Sequence, residues 1–269
     1  MSSVLAQMDV NTVDSVSALT SLLDDLSNLA GNPPSLYLDV EGVHLGRHGS
    51  VSILSLYIAP LEKVYLIDIY RLGNTAFSTT NSSATSLKTI LESPTIPKVF
   101  FDIRNDSDAL FAHFQISVDG IKDVQLMELA VRKGSKDFVA GLAKCIEKDS
   151  PSSALAKVEW KRTKESAGRL YAPEKGRPVE IFNERPMRPE IVQYCAGDVA
   201  LLPGLYNVYN AKLGPPGERF WQVQVGKATK NRIKLSQSPS YNGHTRAQAC
   251  GPWDKEEIER AIDAWNDDQ

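Results

Sequence analysis

Apolar positions along the chain follow two periods, and the switches between them mark out the elements. From 14 to 29, Val16, Leu19, Leu22, Leu23, Leu26 and Leu29 make a helical stripe, with Asp14 placed to cap its start. The run Gly31-Asn32-Pro33-Pro34 ends it. Three strand-like segments follow at 35–40, 51–58 and 63–69, joined by short connections, which reads as an antiparallel meander. A polar stretch at 78–86 precedes a helix that stops near Pro94. A short apolar strand at 98–103 then leads into a helix at 106–114, and 121–124 reads as a further strand.

Helices are expected at 125–133 and 138–147, and one long helical pattern runs from 189 to 213. Between them, 149–180 is rich in Ser, Lys, Arg, Gly and Pro without a clear period, and reads as a long loop or insertion. Beyond Pro215-Pro216 comes an appendage. Its last element pairs Asp254 with Glu257 as a capping box and puts Ile258, Ala261, Ile262 and Trp265 on one face. Strands first, then strand–helix alternation, imply an α/β domain with a mixed sheet flanked by helices. The expected division is 1–213 for the main domain, with the basic insertion inside it, and 214–269 for the appendage.

Charge adds a local asymmetry that the net value of −3 conceals. Residues 157–188 carry nine Lys/Arg against five Glu, and 212–234 carry six against one, for +4 and +5. The final stretch from Asp254 carries seven acids against two bases. Basic stretches beside an acidic centre suit a polyanion; a solvated surface is the plainer reading. No apolar run approaches the ~18 residues of a membrane span, so no membrane partner is expected. The first 46 residues hold six acids and no Lys or Arg, unlike a secretory or transit peptide. With Cys145, Cys195 and Cys250 scattered and unpaired, the chain reads as intracellular, cytoplasmic or nuclear.

Acids supply the candidate chemistry. Asp39 and Glu41 stand two apart in Leu36-Tyr37-Leu38-Asp39-Val40-Glu41, so a strand sends both carboxylates to one face. Two ionised acids that close repel, and a divalent cation is the usual resolution; an edge strand with its acids in water is the alternative. Tyr194 and Asp198, four apart on a helix, also share a face. In Asn105-Asp106-Ser107-Asp108-Ala109-Leu110, Asp106 reads as a helix cap, and Asp108, beyond it, as able to point back over the strand ends. His44 and His48 follow Glu41 in a loop, either near a phosphate or simply solvated. His113 is weighed and left out of the site. Trp160 and Tyr171 sit among basic residues, where they could stack on a strand or belong to a loop. Cys195 reads as packing.

Asp-x-Glu on the first strand of the meander, Asp at the start of a helix after the fourth strand, and Tyr-x-x-x-Asp on a late helix together resemble the DEDD exonucleases with Tyr in the last motif. Val64-Tyr65-Leu66-Ile67-Asp68-Ile69, Gly141-Leu142-Ala143 and Arg185-Pro186-Met187 resemble further segments of that pattern. The resemblance runs over about 14–213 and is to the ribonuclease D and Werner exonuclease-domain superfamily. Within it, 101–110 is most similar to the Egalitarian-like branch.

The resemblance implies a ribonuclease H-like fold with a mixed five-stranded sheet. It also implies 3′-to-5′ hydrolysis of single-stranded RNA or DNA by two divalent cations, Mg²⁺ or Mn²⁺. By position, Asp39 would bridge the metals, Glu41 and Asp198 would hold the nucleophile-side ion, Asp108 would help hold the other, and Tyr194 would orient the water. A catalytically silent RNA-binding or scaffold protein on the same fold is the rival, and an internally cutting nuclease a third reading. The insertion and appendage depart from the family pattern and bear on substrate choice.

Overall fold

A computed structural model describes residues 8–27, 29, 33–170 and 179–267. The three expected meander strands are present as β2 (Leu36–Glu41), β3 (Ile53–Ile58) and β4 (Lys63–Asp68), paired antiparallel with Asp39 opposite Ser55. β5 (Lys98–Phe100) runs parallel beside β2, and β6 (Ile121–Asp123) runs parallel beside β5. The sheet has six strands rather than five. β1 (Asp9–Val13) adds to the edge, parallel to β4, giving the order β1-β4-β3-β2-β5-β6. Its sequence, Asp-Val-Asn-Thr-Val, has only one fully buried side chain, Val13, so its period-two signal is faint.

Both faces of the sheet are covered, and alternation along each strand sorts its side chains between them. Leu36, Leu38 and Val40 of β2 join Leu54 and Leu56 of β3 and Ile67 of β4 against α1 (Val16–Leu26), α4 (Leu87–Glu92, after the short helical turns α2, Ile69–Leu72, and α3, Thr75–Ser78) and α5 (Arg104–Phe114). Ser15, not Asp14, caps α1, accepting from the Ala18 N–H at 3.3 Å. Tyr37 faces the other way, as do Ile53, Val64 and Leu66. On that side lie α6 (Val124–Val131), α7 (Leu142–Asp149), α8 (Ala154–Gly168), α9 (Pro189–Ala200) and α10 (Leu202–Leu213). By the same alternation Asp39 and Glu41 fall on the Tyr37 side, over which α9 packs.

Two expectations about these helices are corrected. The 149–180 stretch is no loop over its first half, because α8 starts with Ser153 as N-cap and runs to Gly168. Its buried face consists of Ala156, Trp160 and Ala167, while Leu155 and Val158 stay exposed, so large apolar residues advertise the wrong side. Residues 171–178, with Tyr171, lie outside the described residues, as do 31 and 32 of the expected turn. The long pattern from 189 to 213 is two helices, broken at Leu201.

Beyond Pro215, α11 (Arg219–Ser236) packs against α5, α6 and β6, with Ile233 in one core and Val225 and Ala228 in the other. Arg232 reaches Asp123 at 2.7 Å, and Asp123 caps α6 through the Gln125 N–H. α12 (Lys255–Asp267) begins as expected, with Asp254 accepting from the Glu256 and Glu257 N–H groups. No described helix is long and apolar enough to cross a membrane.

Arg185-Pro186-Met187 has a mechanical explanation. The Arg185 guanidinium forks onto both oxygens of Asp68, a fully buried carboxylate at the end of β4, and its Nη1 donates to the Phe182 and Glu184 carbonyls. That clasp fixes the entry to α9. Removing one partner of a buried ion pair strands the other, so Arg185→Ala should destabilise the fold by about 3–5 kcal/mol. Urea unfolding measures this; a loss below about 1 kcal/mol, the scale of an exposed pair, would contradict the clasp.

Candidate active site

Glu41 ends β2, and the chain leaves it through Gly42, where a Cβ would lie 1.9 Å from the Ser50 carbonyl oxygen. Only glycine lets the 42–50 loop fold back this tightly. The loop is pinned from outside: His113 Nε2 lies 2.9 Å from the Gly46 carbonyl oxygen, and Arg47 is held by α5 and by the Ser236 and Pro239 carbonyls. His44 and His48 are exposed in it.

Facing this strand end, α9 presents Tyr194 and Asp198, both buried. Asp39, Glu41 and Asp198 each bring one carboxylate oxygen into a group whose members all lie within 4.8 Å of one another. Tyr194 interacts with Glu41 through its hydroxyl, and Asp39, Glu41 and Asp198 act on one another's charge. Burial, and then the Asp198 charge, push the Asp39 carboxyl up to about 7. Burial followed by Asp39 raises Glu41 well above the usual range, and burial raises Asp198. Such a set is costly without a cation.

The fourth expected acid is not in this group. Asp108 points the other way: its Oδ1 takes the Arg47 Nε at 2.7 Å and its Oδ2 the Arg47 backbone N–H at 2.9 Å. Asp106 occupies the inward position instead, accepting the Val40 N–H of β2 at 3.0 Å. Burial and then the Asp39 charge drive its pKa well up. It does not cap α5 either, since that helix begins at Arg104, two residues earlier than the pattern indicates. Two residues on a helix are about 200° apart, so Asp106 and Asp108 cannot share a target. The earlier helix start is the signal that would have selected Asp106.

Sequence reasoning also missed the use of α8. Trp160, buried rather than stacking outward, donates its Nε1 to Asp198 Oδ1 at 3.1 Å, and the Lys164 ammonium bonds Asp198 Oδ2. Gly197 admits the indole, because a Cβ there would already stand 3.2 Å from Trp160 Cδ1. Burial opposes the Lys164 charge, but Asp198, with Glu41 and Asp39 beyond it, holds the ammonium's pKa above its usual value. Cys195 is fully buried among apolar neighbours, as expected from its position.

Comparison with known proteins supplies the family and the fold. The model of the 3′-5′ exonuclease family matches residues 10–213, and the chain belongs to that family. It is 28% identical over 172 residues to the mouse piRNA biogenesis protein EXD1, covering 62% of this chain but only 27% of that relative. Among solved structures, Trypanosoma brucei RNase D bound to GMP superposes with a TM-score of 0.73 at 20% identity, over 96% of this chain and 73% of that one. The same enzyme with RNA U12 gives 0.71 at 20%, over 95% and 80%. The fold is that of RNase D.

The raised Asp39 pKa carries a sign that can be measured. The folded state keeps a proton that the unfolded chain releases near 3.8, so this contribution to stability is full below that pH and lost as pH rises through about 7. In EDTA, the melting temperature of Asp39→Asn minus that of wild type should therefore grow between about pH 4 and pH 8. A difference that stays flat across this range would contradict the burial of an ionisable Asp39.

Proposed function

We propose that the chain is a divalent-metal-dependent exonuclease that removes nucleotides from the 3′ end of single-stranded nucleic acid. The observation that carries this reading is the convergence of Asp39, Glu41 and Asp198, with Asp106 behind them, in a chain of the 3′-5′ exonuclease family. Hard carboxylate oxygens fit Mg²⁺ or Mn²⁺, and mutually repelling buried acids are what a cation would relieve. When bound, two such ions supply a nucleophilic hydroxide and shield charge on the leaving 3′ oxygen.

The chain's own groups divide the remaining work. Asp39 is central, with Glu41 and Asp198 beside it and Asp106 in the role the sequence pattern suggested for Asp108. Tyr194 orients the attacking water through its hydroxyl, because a phenol is a poor base at neutral pH. Its bond to Glu41 keeps that hydroxyl aimed at the acid group. Asp108 acts at a distance by holding Arg47, and with it the loop that follows Glu41. RNA is the first substrate to test, because RNase D of T. brucei is a structural relative seen with RNA U12 and EXD1 is named for piRNA biogenesis.

Incubating 5′-labelled single-stranded RNA and DNA with Mg²⁺ or Mn²⁺ should give a ladder shortening from the 3′ end. Asp39→Asn and Asp106→Asn should each lower the rate at least about a hundredfold, as loss of a charge-stabilising group does. Asp108→Asn should stay within about tenfold of wild type, since it touches positioning only. If Asp108→Asn loses activity and Asp106→Asn does not, the ligand assignment is wrong. Strand binding without shortening under any metal would favour a silent binding protein instead.

Tyr194→Phe separates orientation from packing. The rate should fall about ten- to a thousandfold while Mn²⁺ affinity stays unchanged. A full rate with a lowered melting temperature would return Tyr194 to a purely structural role.

A further inference from the structure

α8 delivers two donors to a single carboxylate. Trp160 and Lys164 are four residues apart and share one face of the helix. Their polar atoms close on the two oxygens of Asp198 from the same side, the indole on Oδ1 and the ammonium on Oδ2. Lys164 Nζ also stands 4.0 Å above the centroid of the Tyr194 ring and 5.6 Å from that of Trp160. Asp198 is 5% exposed at its side chain, whereas Lys164 is 28% exposed. The lysine side chain that reaches the buried carboxylate is therefore itself partly open to solvent.

These contacts set a neutral donor and a full cation in different roles. Trp160 orients Asp198 and adds no charge. Lys164 adds a positive charge to a carboxylate that belongs to the acid group, and like charges a few ångström apart repel strongly at low dielectric. We propose that Lys164 is a fixed cation of the acid group that competes with a divalent metal for Asp198 Oδ2, so that the Asp198-side ion binds weakly until the ammonium moves aside. This rests on the reading of the acids as metal ligands. The partial exposure of the side chain leaves room for it to swing outward, and a phosphate of the incoming strand is an alternative anion for the ammonium. Strand binding and occupancy of that metal position then assist each other, since such coupling is reciprocal. Lys164 is in this sense a gate on metal occupancy, supplied by a helix that the sequence pattern left as a loop.

The test uses Mn²⁺ alone, counted as free aqua ion by electron paramagnetic resonance, on the full chain and its variants. In Lys164→Met the weaker-binding Mn²⁺ should bind at least about tenfold tighter; if wild type holds one ion, a second should appear. Lys164→Gln, neutral and of similar length, should behave alike, so a folding defect in one variant does not decide the result. Lys164→Arg keeps the charge and should remain within about threefold of wild type. Wild-type or weaker affinity in both neutral variants would overturn the competition. Asp39→Asn separates the two claims. Loss of Mn²⁺ there, with no gain in the Lys164 variants, sinks the Lys164 inference alone. Mn²⁺ binding that survives Asp39→Asn sinks the metal reading and the inference together.

Discussion

Mutual repulsion among buried carboxylates is the constraint around which this molecule is arranged. Asp39, Glu41 and Asp198 converge to within 4.8 Å, and Asp106 approaches from α5 with its pKa driven up by burial and by Asp39. Nothing in the energetics of folding favours such a grouping: each ionised acid loses hydration and gains a like-charged neighbour. The surrounding structure has to impose it. The hydrophobic faces of β2 and β3, the Arg185–Asp68 clasp at the entry to α9 and the packing of α9 over the sheet do so. The acids are offset locally by the Tyr194 hydroxyl, by the Val40 N–H and by the two donors of α8.

The C-terminal appendage is tied to the same place. α11 packs on α5, the helix that carries Asp106, and contributes Arg232 to Asp123 and Ser236 to Ser107. The Ser236 and Pro239 carbonyls complete the ring of acceptors around Arg47, whose other partner is Asp108. The loop after Glu41, the start of α5 and the end of α11 therefore form one hydrogen-bonded unit. Asp108 belongs to that unit, and its carboxylate has both oxygens engaged in it.

Much of this was legible in the sequence, and the parts that were not share a physical cause. The meander was readable because its strands are long, apolar and bounded by turn residues, and Asp39 and Glu41 were readable because period two leaves no choice of face. The shared face of Tyr194 and Asp198 followed from the helical spacing, and their place beside Asp39 and Glu41 from the family resemblance. β1 was missed because a five-residue edge strand with polar alternation buries little. α8 was missed because its buried face is built of Ala156, Trp160 and Ala167, while Leu155 and Val158 face solvent. That Asp106 rather than Asp108 faces β2 was hidden by a helix boundary: a shift of two residues at the start of α5 turns the helix by more than half a revolution. Lys164 could not have been found without the placement of α8, because a lysine in a basic run has no sequence mark that separates it from its neighbours.

The central claim is that four acids, Asp39, Glu41, Asp106 and Asp198, share a divalent cation site and that Asp108 lies outside it. Anomalous scattering from crystals soaked in Mn²⁺ tests it most directly. The strongest anomalous peaks are expected between the carboxylates of Asp39, Glu41 and Asp198, with Asp106 as a neighbour and the Arg47–Asp108 pair intact. Peaks on Asp108 with Arg47 displaced, or the absence of any peak at Asp39 under saturating Mn²⁺, would contradict it.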